Sequence, residues 1–222
     1  YYTKNPTLDT STFTYMINMD MVGRLDTIKH SFVISGTGTS PIWNTTLKNV
    51  PSNLKVKFDE SGTGASDHTS FYYINIPALH FFTGSHFDYH KPSDDADKIN
   101  YKGTVQIIDY IYNLVGSLDN SGKLKFTPTA QDTTAKVRFK VTLGVMPDYL
   151  YDGKGLKVDG VTTGKPAQIA GVKRGDLIIK LGDTIVQDMQ SYMKSLSQFN
   201  KGDETKVVVV RDGKELELPI KF

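Results

Sequence analysis

TYMINMDMV, residues 14–22, is the stretch that decides the fold of the first half of the chain. It is apolar on both alternations except at Asn18 and Asp20, which is typical of a buried central strand with a polar residue near its carboxyl end. A buried carboxylate is destabilising unless it is paired or bound to a metal, and pairing with Arg24 is the simplest interpretation of Asp20. Ligands, however, gather outside the carboxyl ends of strands in open α/β sheets, which is where we expect Asp20.

Strands and helices alternate over the rest of the first half. Short strands are predicted at 31–35, 54–58 and 76–82, and helices at 40–50, 67–73 and 103–118. The clean alternation of LKVKF, residues 54–58, indicates an edge or half-exposed strand. Strands that alternate with helices predict an α/β fold with a mostly parallel sheet covered on both faces.

The pattern changes after the sequence NSG at 120–122. Residues 121–134 are polar, contain Pro128 and are predicted to be a linker. Beyond them we predict short strands at 136–141, 145–150, 156–158, 177–181, 206–211 and 215–221, and helices at 166–170 and 189–199. The sequence therefore predicts an α/β domain at 1–120, a linker at 121–134 and a small β-rich domain at 135–222.

Composition narrows the classes of function. The 222 residues carry 26 basic and 24 acidic side chains, and the net charge of +2 gives no reason to expect nucleic acid or an anionic membrane as a partner. Because there are no cysteines, any metal must be bound by His, Asp or Glu. The sequence contains no apolar stretch long enough to span a membrane and no visible signal peptide. The chain begins at Tyr1 without Met, as expected after removal of a leader or a whole upstream segment.

A second candidate metal ligand lies in residues 81–99, FFTGSHFDYHKPSDDADKI. His86 and His90 are four residues apart, but flanking Gly and Pro disfavour a helix, so the two rings need not share a face. A lone imidazole on a loop is usually not a ligand. The preceding apolar strand, the acidic cluster in 94–97 and Asp20 as a partner favour His90. Two ligands are nevertheless too few to hold a catalytic metal.

The second half of the chain contains a series of short segments with glycine, in a fixed order. In TLGV, residues 142–145, a Gly between strands lets successive N–H groups point into one concavity that can hold a terminal carboxylate. The segments GVT, GKPA, AGV, RGDLI, GD and VVRDGK follow between residues 160 and 214. Together they resemble a PDZ domain of the bacterial type found in HtrA-like proteases, over residues 135–222. The resemblance implies a module that binds peptides or C-termini through Leu143, Gly144 and Val145, or a domain that regulates or packs without a free ligand.

The first half also carries motifs in a fixed order. They are NMDMVG at 18–23, SDHTSF at 66–71, IPA at 76–78, DYHKPSD at 88–94 and DKI at 97–99. They resemble the C-terminal half of a two-zinc aminopeptidase of clan MH, the group that contains bacterial leucyl aminopeptidases and glutamate carboxypeptidase II. The resemblance covers residues 1–118.

This resemblance implies that Asp20 binds one zinc ion and His90 the other. The wall of the site would contain Ser66, Asp67 and His68, although Ser66 and Asp67 are equally suited to cap a helix. No role is implied for His30, His80 and His86. The other ligands and the Glu that acts as general base would precede Tyr1, so we expect no catalytic residue in this chain.

In the complete enzyme, two zinc ions would activate a bridging water and polarise the scissile carbonyl, and the Glu would pass the proton to the leaving amine. Anchoring of a free N-terminus near one metal would favour exopeptidase action. With a single ligand for each zinc, this chain alone is expected to bind no metal tightly and to show no turnover.

The leading hypothesis is therefore part of a secreted or periplasmic bacterial zinc aminopeptidase with a C-terminal PDZ domain. The alternative is a non-catalytic peptide-binding protein in which a degenerate peptidase scaffold presents the PDZ groove; in a third case another chain supplies the missing ligands. Expected partners are a peptide substrate, a peptide C-terminus, and the missing half or a neighbouring copy of the chain. The last follows because half of an α/β domain leaves a sheet edge and helix faces uncovered.

Overall fold

The computed structural model describes residues 1–129, 140–149, 151 and 153–222. Linker residues 130–134 and most of the predicted strand at 136–141 lie outside this part of the chain. The described residues form two compact units. The first unit contains residues 1–84 and 92–129, and the second contains residues 85–91 and those from 140 onward.

A four-stranded sheet forms the centre of the first unit. Its strands are β1 (Met16–Asp20), β2 (Ser31–Ser35), β3 (Lys55–Asp59) and β4 (Ala78–Phe82), in the spatial order β1-β4-β2-β3. The pairs β1–β4 and β2–β3 are parallel, and β2–β4 is antiparallel. The helices are α1 (Trp43–Asn49), α2 (His68–Tyr72) and α3 (Tyr101–Leu118). The predicted α/β fold with a mostly parallel sheet is confirmed.

The core of the first unit lies on one face of this sheet. Alternate residues of β2 and β4 are fully buried there against one side of α3, which begins after Asn100 caps it by accepting a hydrogen bond from the Gly103 N–H. Trp43 on α1 is also fully buried, and its Nε1–H donates to Thr39 Oγ1 at 3.0 Å. The same hydroxyl oxygen accepts from the Ala78 N–H at 3.1 Å. This hydroxyl therefore ties α1 to the start of β4.

The position of β1 corrects one prediction. Residues 14–22 were expected to form a buried central strand, but among the described residues β1 pairs with β4 alone and lies at the sheet edge. Met19 is 53% exposed as a result. The apolar pattern of a strand reports which side chains can be buried, and it cannot specify whether a second strand lies alongside. The edge position predicted for 54–58 is confirmed by β3.

The side of α3 that faces away from the core carries an exposed apolar stripe. Its members, spaced alternately four and three residues apart, are Tyr101, Val105, Ile108, Tyr112 and Val115. Such spacing places side chains on one helix face. The expected uncovered sheet edge and uncovered helix face are both present.

The second unit is a β-rich fold with two short helices. Its strands are β5 (Val145–Pro147), β6 (Leu156–Val161), β7 (Leu177–Leu181), β8 (Thr184–Ile185), β9 (Glu204–Arg211) and β10 (Lys214–Lys221). The spatial order is β10-β9-β7-β6-β5, with β8 paired to β7, and every pair is antiparallel. Helices α4 (Pro166–Ile169) and α5 (Met189–Leu196) complete it. Asp188 caps α5 as predicted, whereas β5 is shorter than predicted and β8 was missed.

A buried ion pair fixes the interior of the second unit. The Asp176 side chain is 1% exposed and accepts hydrogen bonds from Arg211 Nε at 2.7 Å, Arg211 Nη2 at 2.8 Å and the Lys173 N–H at 2.8 Å. Burial alone would raise the pKa of Asp176, but these hydrogen bonds and the Arg211 charge outweigh it and hold the pKa below its ordinary value.

None of the described helices is both long and apolar enough to cross a membrane.

Candidate functional site

The sheet of the first unit has a second face, opposite the core, that carries polar side chains. Asn18 lies beside His80 and Asp20 beside Phe82 in the parallel register of β1 and β4. Because side chains two residues apart point to the same face of a strand, these four side chains line one surface. Helix α2 lies against β4 on this side through His68. The carboxyl ends of two strands therefore bring an amide, a carboxylate and an imidazole together.

The Asp20 carboxylate is held by a short chain of hydrogen bonds. Ser66 Oγ donates to Asp20 Oδ2 at 3.0 Å, and Asn18 Nδ2 donates to Ser66 Oγ at 2.7 Å. His80 Nε2 lies 3.8 Å from the same Oδ2 atom. Among the described residues no hydrogen bond reaches Oδ1, and the Asp20 side chain is 41% exposed. The carboxylate is thus fixed on one oxygen and accessible on the other.

The motif at 66–71 forms the start of α2 without the side-chain cap that its residues could provide. Asp67 at the N-cap makes no capping hydrogen bond, and the Ser66 hydroxyl donates to Asp20 instead. Asp67 is exposed at the start of the helix. Arg24, the alternative partner of Asp20, forms an ion pair with Asp94.

Two histidines are stacked behind Asp20. The rings of His68 and His80 lie 4.5 Å apart with planes inclined by 9°, and Phe82 extends the stack at 5.6 Å from His80. Neither nitrogen of His68 has a hydrogen-bond partner among the described residues. Burial lowers the pKa of His68 to about 4, helped by His80 and opposed by Asp20. Burial also lowers the pKa of His80, so both rings are neutral at neutral pH.

The role of His80 was missed at the level of sequence. The sequence does place His80 and Phe82 on one face of the strand 76–82, and Asn18 and Asp20 on one face of the strand 14–22. The contact between His80 and Asp20 follows only from the register that sets β4 beside β1.

The lone pairs of two parallel stacked imidazoles lie in parallel planes, so His68 and His80 do not converge on a common ion.

His90 belongs to the segment 85–91, which clusters with the second unit, whereas Asp20, Ser66, Asp67 and His68 belong to the first. The His90 side chain is exposed, its backbone is left-handed with φ 55°, and its ring stacks on Tyr89 at 3.9 Å. The structure therefore brings Ser66 and His68 to the vicinity of Asp20 and describes His90 in a separate unit.

The predicted carboxylate loop of the second unit is tied to the start of α4. Leu143 is fully buried, Gly144 has φ +81°, and Val145 begins β5. The Thr162 N–H donates to the Gly144 carbonyl at 2.8 Å, and the Ala167 N–H donates to the Leu143 carbonyl at 2.9 Å. The Gly144 N–H also donates to Thr142 Oγ1 at 3.2 Å, and the three bonds fix the backbone of the loop.

Comparison with known families decides the classification. The model of peptidase family M28 matches residues 1–115, which is more than half of the chain. The chain belongs to peptidase family M28. A PDZ domain model matches residues 133–222. The M28 region contains Asp20, Ser66, His68, His80 and His90, and the PDZ region contains the loop at 143–145.

Several proteins are similar to parts of this M28 chain. A probable periplasmic serine endoprotease, DegP-like, from Rickettsia prowazekii is 32% identical over 115 residues, which is 49% of this chain and 20% of the relative. A serine protease Do-like HtrA from Lactococcus lactis is 40% identical over 124 residues, 50% of this chain and 28% of the relative. The chain thus spans less than a third of the length of these curated relatives. Among solved structures, the LapA aminopeptidase of Legionella pneumophila is 23% identical, covering 47% of this chain and 30% of LapA, with a TM-score of 0.40.

The M28 region alone does not offer a complete metal site. Within residues 1–129, 140–149, 151 and 153–222, no three His, Asp or Glu side chains are grouped so that they could hold a metal ion. Asp20 fits the role of one ligand, because its side chain is partly exposed and its Oδ2 atom accepts a hydrogen bond. The further donors to a metal ion at Asp20 would have to come from outside the described residues.

Proposed function

We propose that this chain is part of a zinc-dependent aminopeptidase that hydrolyses N-terminal peptide bonds, followed by a PDZ domain that binds peptide C-termini or regulates the peptidase. Asp20 and His90 would each be a ligand of one of two zinc ions. The observation that carries the proposal is the Asp20 carboxylate held by Ser66 at the carboxyl end of β1, within a region that belongs to family M28.

The geometry around Asp20 suits a metal ligand better than a structural carboxylate. Among the described residues no cationic side chain pairs with Asp20, because Arg24 pairs with Asp94 and the contacts of Asp20 are a hydroxyl and a neutral imidazole. Ligating carboxylates are commonly hydrogen-bonded on the oxygen that does not bind the metal. The Asn18–Ser66 chain provides such a bond and leaves Oδ1 exposed.

The neutral state of His80 and His68 also supports Asp20 as a metal ligand. Two buried protonated imidazoles beside Asp20 would compete with a metal for its negative charge, whereas neutral rings leave the charge available. Zinc, when bound, would supply Lewis acidity and an activated water. The chain's own residues would orient one carboxylate, and the general base would be supplied from outside this chain, so we propose that this chain alone has no turnover.

The PDZ region would bind a peptide C-terminus through Leu143, Gly144 and Val145, with a peptide as the substrate of the peptidase region. We also propose a secreted or periplasmic location. It is supported by the similarity to a relative described as a probable periplasmic endoprotease.

A second candidate is a non-catalytic protein in which a degenerate peptidase scaffold presents the PDZ groove. The lack of any group of three donors among the described residues favours it. The coding sequence upstream of Tyr1 discriminates the two candidates. If it lacks the remaining metal ligands and the general-base Glu that the resemblance implies, the enzymatic proposal fails.

The ligand assignments can be tested by metal analysis of the full-length protein. We expect Asp20→Ala and His90→Asn each to lower the bound zinc by about one ion per chain and to abolish peptidase activity. Asn is used at position 90 because it tolerates the left-handed backbone there. Matched controls are the exposed Asp109→Ala and His30→Asn, the latter also left-handed. Unchanged zinc content in both ligand variants would refute the assignments.

A further inference from the structure

Among the described residues, strand β5 is an edge of the second unit's sheet, and it follows the carboxylate loop directly. In the spatial order of the strands it lies at one end, paired with β6 on one side. An extended peptide bound at the loop would add to the sheet beside β5, and main-chain hydrogen bonds to this edge would supply much of its affinity. The number of such bonds depends on which groups of β5 point away from β6.

Hydrogen bonds at both ends of β5 fix the direction in which each residue points. The Gly144 carbonyl accepts from the Thr162 N–H, and the Asp148 N–H donates to the Lys157 carbonyl at 2.8 Å, so both residues face β6. Backbone groups of successive residues in a strand alternate in direction. The register shifts between Met146 and Pro147, but the extra residue, Asp159, belongs to β6, so the alternation along β5 is kept. Met146, opposite Gly160, therefore also faces β6, whereas Val145 and Pro147 face outward.

Pro147 removes one of the groups that a bound strand would use. Val145 offers an N–H and a carbonyl to the outer edge, but Pro147 offers a carbonyl only, because proline has no N–H. Proline within a sheet is confined to edges where its missing donor faces away from the neighbouring strand, which matches this position. A peptide paired with β5 can therefore use both the N–H and the carbonyl of Val145, but only the carbonyl of Pro147.

A positive side chain stands beside the loop. The aliphatic stem of Lys165 packs on Gly144, where an added Cβ would collide with the Lys165 Cβ and lie 2.7 Å from its Cγ. The loop is held under this stem by the two hydrogen bonds from Thr162 and Ala167. No carboxylate among the described residues forms an ion pair with Lys165, whereas Arg174 is paired with Asp159. The charge of Lys165 complements a terminal carboxylate at Gly144.

We propose that this groove recognises little more than the last residue of a peptide, whose free carboxylate binds at Leu143–Val145 beside Lys165, because Pro147 deprives the upstream residues of a backbone donor. The proposal rests on the proposed function of the PDZ region as a binder of C-termini, and it adds the length of chain that is recognised. The ligand class is any accessible C-terminus with a suitable last side chain, largely independent of the sequence that precedes it.

The first test is a length series measured by calorimetry on the 222-residue chain. The first probe is the pentapeptide FGRWV, which is the ligand in a solved HtrA3 PDZ domain. Four further pentapeptides replace its last residue by Leu, Ile, Phe or Ala. Each pentapeptide is compared with the dipeptide formed by its last two residues. We expect each dipeptide to bind within about threefold of its pentapeptide. A pentapeptide that binds more than tenfold tighter than its dipeptide would overturn the proposal without any variant.

The second test restores the missing donor. In Pro147→Ala and Pro147→Val we expect pentapeptides to bind about three- to tenfold tighter than to the wild type, the effect of one net hydrogen bond, while dipeptides are unchanged. Pro219→Val, in the opposite edge strand β10, is the matched control and should change neither. An unchanged length dependence in folded Pro147 variants would count against the role of Pro147.

The third test addresses charge and separates the proposal from the function on which it rests. Each pentapeptide is compared as free acid and as C-terminal amide. We expect Lys165→Met, which keeps most of the stem, to reduce the preference for the acid about two- to fivefold, and Lys214→Met to leave it intact. If the wild type shows no preference, or binds no acid at all, the proposed PDZ function fails. If the preference survives in Lys165→Met, only the role of Lys165 fails.

Discussion

In the first unit the buried imidazole of His68 has no hydrogen-bond partner among the described residues, whereas in the second the buried carboxylate of Asp176 accepts three hydrogen bonds. The surfaces also differ. The first unit exposes a continuous apolar stripe on α3, whereas exposed apolar side chains of the second unit such as Ile169 and Ile185 lie on separate elements. The stripe on α3 marks a face of the first unit that is organised for contacts beyond the unit itself.

Breaking the ion pair of the second unit should have the largest effect. Arg211→Met would leave the Asp176 carboxylate buried without its cation, and we expect the unit to lose about 3–5 kcal/mol of unfolding free energy. Native-state hydrogen exchange of the β7 and β9 amides measures this loss.

The matched control is Lys206→Met, which removes the exposed ion pair with Glu217 and should cost less than about 1 kcal/mol. Equal effects of the two substitutions would show that the interior of the second unit does not depend on its ion pair.

Much of the fold behind this contrast could be predicted from the sequence. The strand at 31–35 was predicted at the bounds that the structure gives, and α5 with its Asp188 cap was predicted from a local pattern. Local patterns specify local structure because they encode alternation and capping. The edge position of β1 and the contact of His80 with Asp20 depend on which strands become neighbours, and a single strand does not encode this. The assignments of Asp20, His90 and the PDZ loop came from the family resemblance and remain predictions.

The buried histidines should make the first unit sensitive to pH. Burial holds the pKa of His68 near 4, but an unfolded histidine titrates near 6.5. Between these values the unfolded state binds more protons, so the stability of the first unit should fall as pH drops from 6.5 to 4, by up to about 3 kcal/mol from His68.

His68→Phe, which keeps a ring in the stack, should flatten this dependence in urea unfolding measured at several pH values. His30→Asn, at an exposed histidine, should leave it unchanged. Parallel pH profiles of the wild type and His68→Phe would mean that folding does not lower the pKa of His68.

A pair of glycine substitutions sharpens the description of the second unit. Gly144 and Gly164 both have left-handed backbones, with φ +81° and +73°, but only Gly144 lies against the Lys165 stem. Replacement by Ala should cost about 1 kcal/mol at Gly164 from the backbone alone, and about 1–2 kcal/mol more at Gly144. Thermal unfolding of the two variants measures the difference. Equal losses would indicate that the stem moves away freely.

The smallest effect on stability is expected on the exposed face of α3. Replacing Val105, Ile108 and Tyr112 by Gln should change the unfolding free energy by less than about 1 kcal/mol, because these side chains are already exposed. Self-association, measured by sedimentation, should decrease. Leu114→Ala on the buried face of the same helix is the contrast, with an expected loss of about 2–5 kcal/mol. A large loss from the Gln triple would show that the stripe is buried in the folded protein.

The hydrogen bond between Trp43 and Thr39 has a practical consequence. Trp43 is the only tryptophan of the chain, and it is fully buried in the first unit. Intrinsic tryptophan fluorescence therefore reports the unfolding of the peptidase region alone, while the PDZ region is silent at the same emission wavelength. One spectroscopic signal already present in the protein can follow one half of the molecule without a label.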